Sequence, residues 1–244
     1  MIATSANTGP NAAQIENWDG PGGQHWVAEA ERYDRMTGAF GERIIEAAAP
    51  RPGERVLDVG CGNGAVALAV SALVAPGGSV LGLDISGPML GCARQRADAA
   101  GIASVSFRQG DAQVYPLPTA SFDAVVSRFG VMFFDDPVAA FTTLGRALRP
   151  GGRIAFTCWR ELAVNDWLMV PAGAALQHVP MPDLASRAPP GRSRWPTPSA
   201  CTRFCGTPPS RRSPWRRSSG RCRWAALPRT CWLSCAAPKW PRYS

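Results

Sequence analysis

The sequence predicts an α/β protein built on a doubly wound, mostly parallel sheet, and two observations carry that prediction. From Arg55 onward, short apolar runs alternate with helical segments, the order that makes right-handed βαβ crossovers and a parallel sheet with helices on both faces. Turn residues punctuate the alternation at Pro76-Gly77-Gly78, Gly101, Pro116 to Pro118 and Pro150-Gly151-Gly152, where Gly and Pro favour turns over helix or strand.

Residues 1–22 are polar and Gly-rich, and Trp26, Ala30, Tyr33, Met36 and Phe40 then recur at roughly helical spacing between charged positions, predicting an amphipathic helix. A second helical stretch, 41–49, ends at Pro50, Pro52 and Gly53. Strands are expected over 56–59, 79–83, 105–108, 122–127 and 153–159, with helices over 64–75, 88–100 and 137–148. The chain thus divides into an N-terminal helical segment (1–49), an α/β domain (50–184) and a tail (185–244).

Charge separates the tail from the rest. The 244 residues carry 26 basic and 18 acidic side chains, a net +8, yet Arg187 to Ser244 holds 12 Arg and one Lys with no carboxylate. Met1 to Leu184 is therefore left with 13 basic against 18 acidic side chains, a net of −5. The basic balance belongs to the tail, and nucleic acid is not expected as a partner of the domain. The longest apolar run, Ala65 to Ala75, is interrupted by Ser71 and is far too short to span a bilayer. With no signal-like start and no C-x-x-C among Cys61, Cys92 and Cys158, no membrane insertion and a reducing, cytoplasmic setting are expected.

Arg55-Val-Leu-Asp-Val-Gly-Cys-Gly-Asn-Gly64 is the strongest chemical signal. An apolar strand enters a Gly-rich turn and then a helix, and Gly60 and Gly62 let the backbone approach a ligand where any Cβ would intrude. Gly60, Gly62 and Ala65 also satisfy the dinucleotide pattern G-x-G-x-x-[GA]. Asp58 discriminates, because a carboxylate two residues before the first Gly repels a pyrophosphate and attracts a cation. S-adenosylmethionine carries both an α-ammonium and a sulfonium. Asp58 can equally cap the loop by accepting backbone N–H bonds, a role compatible with ligand binding.

The segment Asp58 to Gly64 resembles motif I of the class I S-adenosylmethionine-dependent methyltransferases, and further matches follow in order. Asp84 ends the second strand, in Leu81-Gly-Leu-Asp-Ile-Ser, where that family's acidic residue binds both ribose hydroxyls. Gly110-Asp111-Ala112 resembles the segment that reads the adenine edge, Phe122 to Phe129 resembles motif IV, and Leu148 to Arg153 resembles the turn into the fifth strand. The resemblance covers about Trp18 to Pro180 and is nearest in type to the small-molecule enzymes related to quinone-biosynthesis C-methyltransferases. It implies a Rossmann-like methyltransferase sheet, S-adenosyl-L-methionine as cofactor, and a small-molecule methyl acceptor. The cofactor site it implies comprises Asp58, Gly60, Cys61, Gly62, Asp84, Ile85, Met89, Gly110, Asp111, Ala112, Ser127 and Arg128. Met89 has a core reading beside its reading as an apolar cover for adenine, and in the family the segment before motif I, here with Trp26 and Tyr33, closes over the cofactor. By the family pattern the loop of Phe129, Met132, Phe133 and Phe134 faces the acceptor, although two of these four are expected in the core.

Methyl transfer from a sulfonium needs alignment and water exclusion rather than a nucleophilic residue. Asp135, Asp136, His25 and His178 stand as possible bases by position, none is marked, and no catalytic residue or metal site is assigned. An NAD-dependent oxidoreductase, or a non-catalytic cofactor-binding or interaction protein, is the competing reading. The sequence fixes no oligomeric state.

The tail contains five Cys, five Trp, ten Pro and only two aliphatic residues, Leu227 and Leu233, from Arg187 onward. It shows neither helical nor strand period. A basic, Trp-containing arm for single-stranded nucleic acid and a zinc site from Cys201, Cys205, Cys222, Cys231 and Cys235 are two readings. The third, favoured, is translation out of frame. If each codon's third base begins the next codon, the segment from Ser193 reads VALADPVGVHAILRDAAF with GC-rich third bases, and carboxylates and helical period return together. The tail is accordingly expected to be disordered, leaving the family's sheet without its C-terminal hairpin and strand 153–159 as an open edge.

Overall fold

The computed structural model describes residues 9–159, 166–178, 223–227 and 230–236. Three helices, α1 (Ala12–Trp18), α2 (Pro21–Ala28) and α3 (Ala30–Ala48), precede the alternating region. That region runs β1 (Arg55–Val59), α4 (Ala65–Val74), β2 (Ser79–Asp84), α5 (Gly87–Ala99), β3 (Val105–Gln109), β4 (Phe122–Arg128), a 3-10 turn (Gly130–Phe133), α6 (Pro137–Ala147) and β5 (Leu148–Trp159). Helix α7 (Asp166–Ala175) and strands β6 (Arg223–Leu227) and β7 (Thr230–Ala236) follow.

The strands form one sheet in the order β3-β2-β1-β4-β5-β7-β6. The five strands β1 to β5 are parallel throughout. Parallel strands covered on both faces must be apolar at successive positions rather than at alternate ones, and β1 and β4 are buried along nearly their whole length. On one face Ile44 of α3, Val66 and Val70 of α4 and Leu90 of α5 pack on Val56, Val80 and Val126. On the other, Phe141 and Leu144 of α6 pack with Leu57, Val125 and Phe156. Each such fully buried aliphatic side chain stabilises the fold by roughly 1.5–3 kcal/mol.

Arg153 fastens the end of α3 to the sheet. Its guanidinium donates to the carbonyls of Ala48 and Ala49 and pairs with Glu54 at 2.6 Å, satisfying carbonyls that a helix end leaves without partners.

The structure departs from the sequence reading at three places. The helix boundaries differ from those expected: Trp26 belongs to α2, and the chain from Ala30 to Ala48 is one helix, α3, with no division at 40–41, where Gly41 packs so closely that a Cβ would lie 3.3 Å from Val66 Cγ2. Within the polar, Gly-rich start, Ala12–Trp18 forms a short helix of its own. At the far edge, the expected absence of the hairpin does not hold, since β7 pairs antiparallel with β5 from Arg153↔Ala236 to Trp159↔Thr230 and β6 pairs antiparallel with β7. Both runs are free of Pro, and Pro228 falls between them in sequence. Strand β5 is thus not an open edge, and the remainder of the tail reading lies outside the described residues.

Candidate functional site

The strand order reverses between β1 and β4, both of which neighbour each other while their chain continuations lead to opposite edges of the sheet. A crevice at the carboxyl ends of strands at such a switch point is the expected ligand site of an open α/β sheet. Here the loops after β1 and β4 meet at Gly60 and Gly130. Gly60 adopts φ +65, and a Cβ on it would lie 2.7 Å from Gly130 Cα, so only glycine brings these backbones together.

Strand β2 supplies the carboxylate of the crevice. Asp84 is 7% exposed, and it accepts from Gly62 N–H at 2.8 Å and from Ser86 N–H at 2.9 Å. Each oxygen keeps lone-pair capacity beyond the bond it makes. Burial pushes this carboxyl above its usual range, against the lowering effect of the backbone donors. Ser86 Oγ in turn accepts from Met89 N–H, capping α5. Met89 is buried, its sulfur 3.7 Å from where a Cβ on Gly62 would stand.

Asp58 lies deeper, 1% exposed. Neither of its carboxylate oxygens makes a well-formed hydrogen bond among the described residues, a costly state for a buried carboxylate that the Ala67 N–H eases only in part. Desolvation pushes its carboxyl up to about 7, while nearby Arg128 acts to lower it and Asp84 to raise it. Arg128 pairs at 3.5 Å with Asp34 of α3, and Arg96 of α5 pairs with the same carboxylate at 2.8 Å. Asn63 donates to the Trp26 carbonyl at 3.1 Å, and its own carboxamide oxygen is buried without a partner among the described residues. The acceptors left unsatisfied at this end of β1, on Asp58 and Asn63, suit a cation.

After β3, Gly110 N–H donates to the Asp84 carbonyl at 2.8 Å, linking the two strand ends. Asp111 accepts from Gln113 N–H at 2.9 Å and from Asn11 Nδ2 at 2.8 Å. The N-terminal helices cover this side with aromatic rings. Trp26 stacks on Tyr33 with centroids 3.7 Å apart, and Trp18 meets Trp26 and Phe133 edge-on. Beyond the end of β4, Phe129 stacks on Trp159 at 4.3 Å with Phe40 against both. Phe129 holds φ +65, an uncommon backbone state for an aromatic residue and one that concentrates at functional sites.

Of the residues singled out in sequence, Asp58, Gly60, Gly62, Asp84, Met89, Gly110 and Asp111 gather at the ends of β1, β2 and β3. Ile85 follows Asp84 and its carbonyl accepts from Gln109 Nε2 at 3.0 Å. Cys61 and Ala112 pack in the two core clusters, so only their backbones are available to a ligand, and burial raises the Cys61 thiol well above its ordinary value. Ser127 is fully buried and donates to the Val59 carbonyl at 2.7 Å, while Arg128 faces α3. In the loop after β4, Phe134 is core and Met132 packs partly against it, leaving Phe129 and Phe133 in the ring contacts above. Asp136 caps α6 by accepting from Val138 N–H and Ala139 N–H. Sequence reasoning missed Ser86, whose Ser-Gly-Pro start is a helix-cap signal, and Asn11, for which no local signal exists. Among the described residues no helix is long and apolar enough to cross a membrane, and no group of three His, Cys, Asp or Glu is placed to hold a metal.

The fold is that of a Rossmann-like methyltransferase sheet. Residues 57–156 match the family described as "Methyltransferase domain". The chain is 37% identical over 136 residues to nocamycin O-methyltransferase of Saccharothrix syringae, covering 51% of this chain and 49% of that one. It is 38% identical over 133 residues to demethylmenaquinone methyltransferase of Thermus thermophilus, covering 51% and 60%. The chain thus spans about half the length of these relatives. A solved S-adenosylmethionine-dependent methyltransferase from Aquifex aeolicus shares the fold with a TM-score of 0.56 at 17% identity, covering 92% of this chain and 97% of that one.

Proposed function

We propose that this protein transfers a methyl group from S-adenosyl-L-methionine to a small-molecule acceptor. The observation that carries the reading is Asp58: a carboxylate with both oxygens buried and without a well-formed hydrogen bond among the described residues, at the foot of a glycine turn, suits a ligand bearing an ammonium beside a sulfonium. A pyrophosphate at the same turn would meet that charge and Asp84 as repulsion, which sets the NAD-dependent oxidoreductase reading aside. In this proposal Asp84 accepts from the ribose hydroxyls, Asp111 and the following backbone hold the adenine edge, and Met89 covers the base.

When bound, the cofactor supplies an activated methyl group. The chain's own contribution is to orient the acceptor and exclude water. Trp18, Trp26, Tyr33 and Phe133 on one side and Phe40, Phe129 and Trp159 on the other offer ring faces, which favours a partly apolar, ring-bearing acceptor. The cap role of Asp136 leaves it poorly suited as a base, and no general base is assigned. The test is incubation with methyl-labelled cofactor and a panel of small phenols, hydroxyquinones and amines. Label in any acceptor supports the reading, and tight cofactor binding with no transfer across the panel would favour a non-catalytic binding protein.

The same proposal takes residues 185–244 as translated out of frame, with β6 and β7 arising from the two Pro-free runs of that segment, and activity reduced accordingly. Sequencing the coding DNA across residues 185–192 tests it. A one-base shift there that opens a frame with restored carboxylates is expected, and absence of such a frame rejects it.

A further inference from the structure

The start of α1 is built in an unusual way. Asn11 precedes the helix in the left-handed region, φ 58 and ψ 17, and makes no side-chain cap to α1, although Asn at this position ordinarily bonds the free N–H groups of its own helix. Its carboxamide, 8% exposed, is directed across about a hundred residues of sequence instead. Nδ2 donates to Asp111 Oδ2 at 2.8 Å and, more distantly, to Gln113 Oε1 at 3.4 Å, while Oδ1 accepts from Asp135 N–H at 2.6 Å. Gln113 Oε1 also accepts from Asp136 N–H at 2.9 Å, so a single side chain joins the loops after β3 and before α6.

The other end of α1 is also tied down. Asp19 accepts from Gly87 N–H at 2.7 Å and from Gln109 Nε2 at 3.0 Å, at the start of α5 and the end of β3. Helix α1 therefore lies fastened at both ends over the strand ends that carry Asp84 and Asp111. Trp18 on its last turn rests against Phe133.

We propose that Asn11 is a positioning residue for the nucleoside end of the ligand: it fixes the Asp111 carboxylate and clasps α1 across the crevice, so that α1 lifts for the nucleoside to enter or leave. This rests on the assignment of Asp84 and Asp111 to ribose and adenine. Without a ligand, the carboxamide N–H of Asn11 satisfies the acceptor that an adenine amino group shares once bound. Losing the clasp therefore speeds exchange without removing Asp84 or the glycine turn.

The experiment compares wild type with Asn11→Gly and Asn11→Asp. Glycine keeps the left-handed backbone without strain and deletes only the carboxamide. Aspartate keeps the acceptor for Asp135 N–H but sets a carboxylate against Asp111. With S-adenosylhomocysteine as probe, dissociation should quicken about fivefold or more in Asn11→Gly, the loss of roughly one charge-assisted bond, and further in Asn11→Asp. Amide hydrogen exchange over residues 12–19 should be slowed by the ligand in wild type and much less in the variants. A lowered melting temperature of the free variants with unchanged dissociation rates would mean a structural role only and would overturn the proposal. Failure of wild type to bind S-adenosylhomocysteine would instead overturn the cofactor assignment and the proposal with it.

Discussion

Gly60 and Gly130 meet backbone to backbone where β1 and β4 end: a Cβ on the first would stand 2.7 Å from the Cα of the second, and a Cβ on the second 2.6 Å from the Val59 carbonyl oxygen. Neither obstacle is a flexible side-chain end that could swing aside. Gly60→Ala combines this clash with a left-handed φ of +65, which alone costs an alanine about 1–2 kcal/mol. We expect stability to fall by more than that and ligand affinity to fall with it, because the turn carrying Gly62 N–H must move. Thermal unfolding and calorimetry of the variant check both, and an alanine variant with wild-type melting and binding would show that the loops have room the geometry denies.

Asp84→Ala removes the acceptor of Gly62 N–H and Ser86 N–H together with the proposed partner of two ribose hydroxyls. Cofactor affinity should fall by about 2–4 kcal/mol if both charge-assisted bonds to the ligand are lost. Asp84→Asn should lose less, since one acceptor oxygen remains. Titration of S-adenosylhomocysteine into the folded variants measures this, and unchanged affinity in Asp84→Ala would remove Asp84 from the site.

Asp58 gives a pH dependence of defined sign. Burial raises its carboxyl from an ordinary 3.8 to about 7, so between those values the folded chain holds a proton that the unfolded chain has released. The free protein accordingly loses stability as pH rises from about 4 to about 7. Affinity for a cationic ligand runs the other way and increases as pH passes upward through about 7, where Asp58 ionises. Asp58→Asn should flatten both profiles, apart from the share of the stability slope that belongs to Asp84, whose carboxyl is also raised. Melting temperature and S-adenosylhomocysteine affinity across this range provide the check, and identical affinity profiles in the two proteins would show that Asp58 does not face the ligand's charge.

Arg153→Ala deprives the Ala48 and Ala49 carbonyls of their donor and leaves Glu54 without its partner. A loss of about 2–3 kcal/mol in urea unfolding at neutral pH is expected. The Arg153 hydrogen bond holds the Glu54 carboxyl below its ordinary 4.5, so its contribution is present above that value and disappears as pH falls through the lowered one. The gap between wild type and variant should therefore narrow in acid. A gap that stays constant down to strongly acidic pH would assign the stabilisation to the carbonyl contacts alone.

Much of this architecture was legible because the residues involved act locally. The run from Val56 into Gly60 and Gly62 announces a strand and a tight turn by composition alone, and Asp84 is marked by its place at the end of the next apolar run. What escaped depends on partners distant in sequence. Asn11 and Asp111 lie 100 residues apart, and nothing near Asn11 distinguishes it from an ordinary polar loop residue. The continuity of α3 through 40–41 depends on packing, since the small size of Gly41 serves the contact of α3 with Val66. In the tail, the density of Arg and Pro concealed two short Pro-free runs, of which β7 pairs with the β5 edge, whose backbone favours an added strand, and β6 pairs with β7.

The most direct test of the account is calorimetric titration of the intact chain with S-adenosylhomocysteine and, separately, with NAD. The account predicts saturable binding of S-adenosylhomocysteine that Asp84→Ala weakens, and no binding of NAD at comparable concentration. Saturable binding of NAD with none of S-adenosylhomocysteine would contradict it.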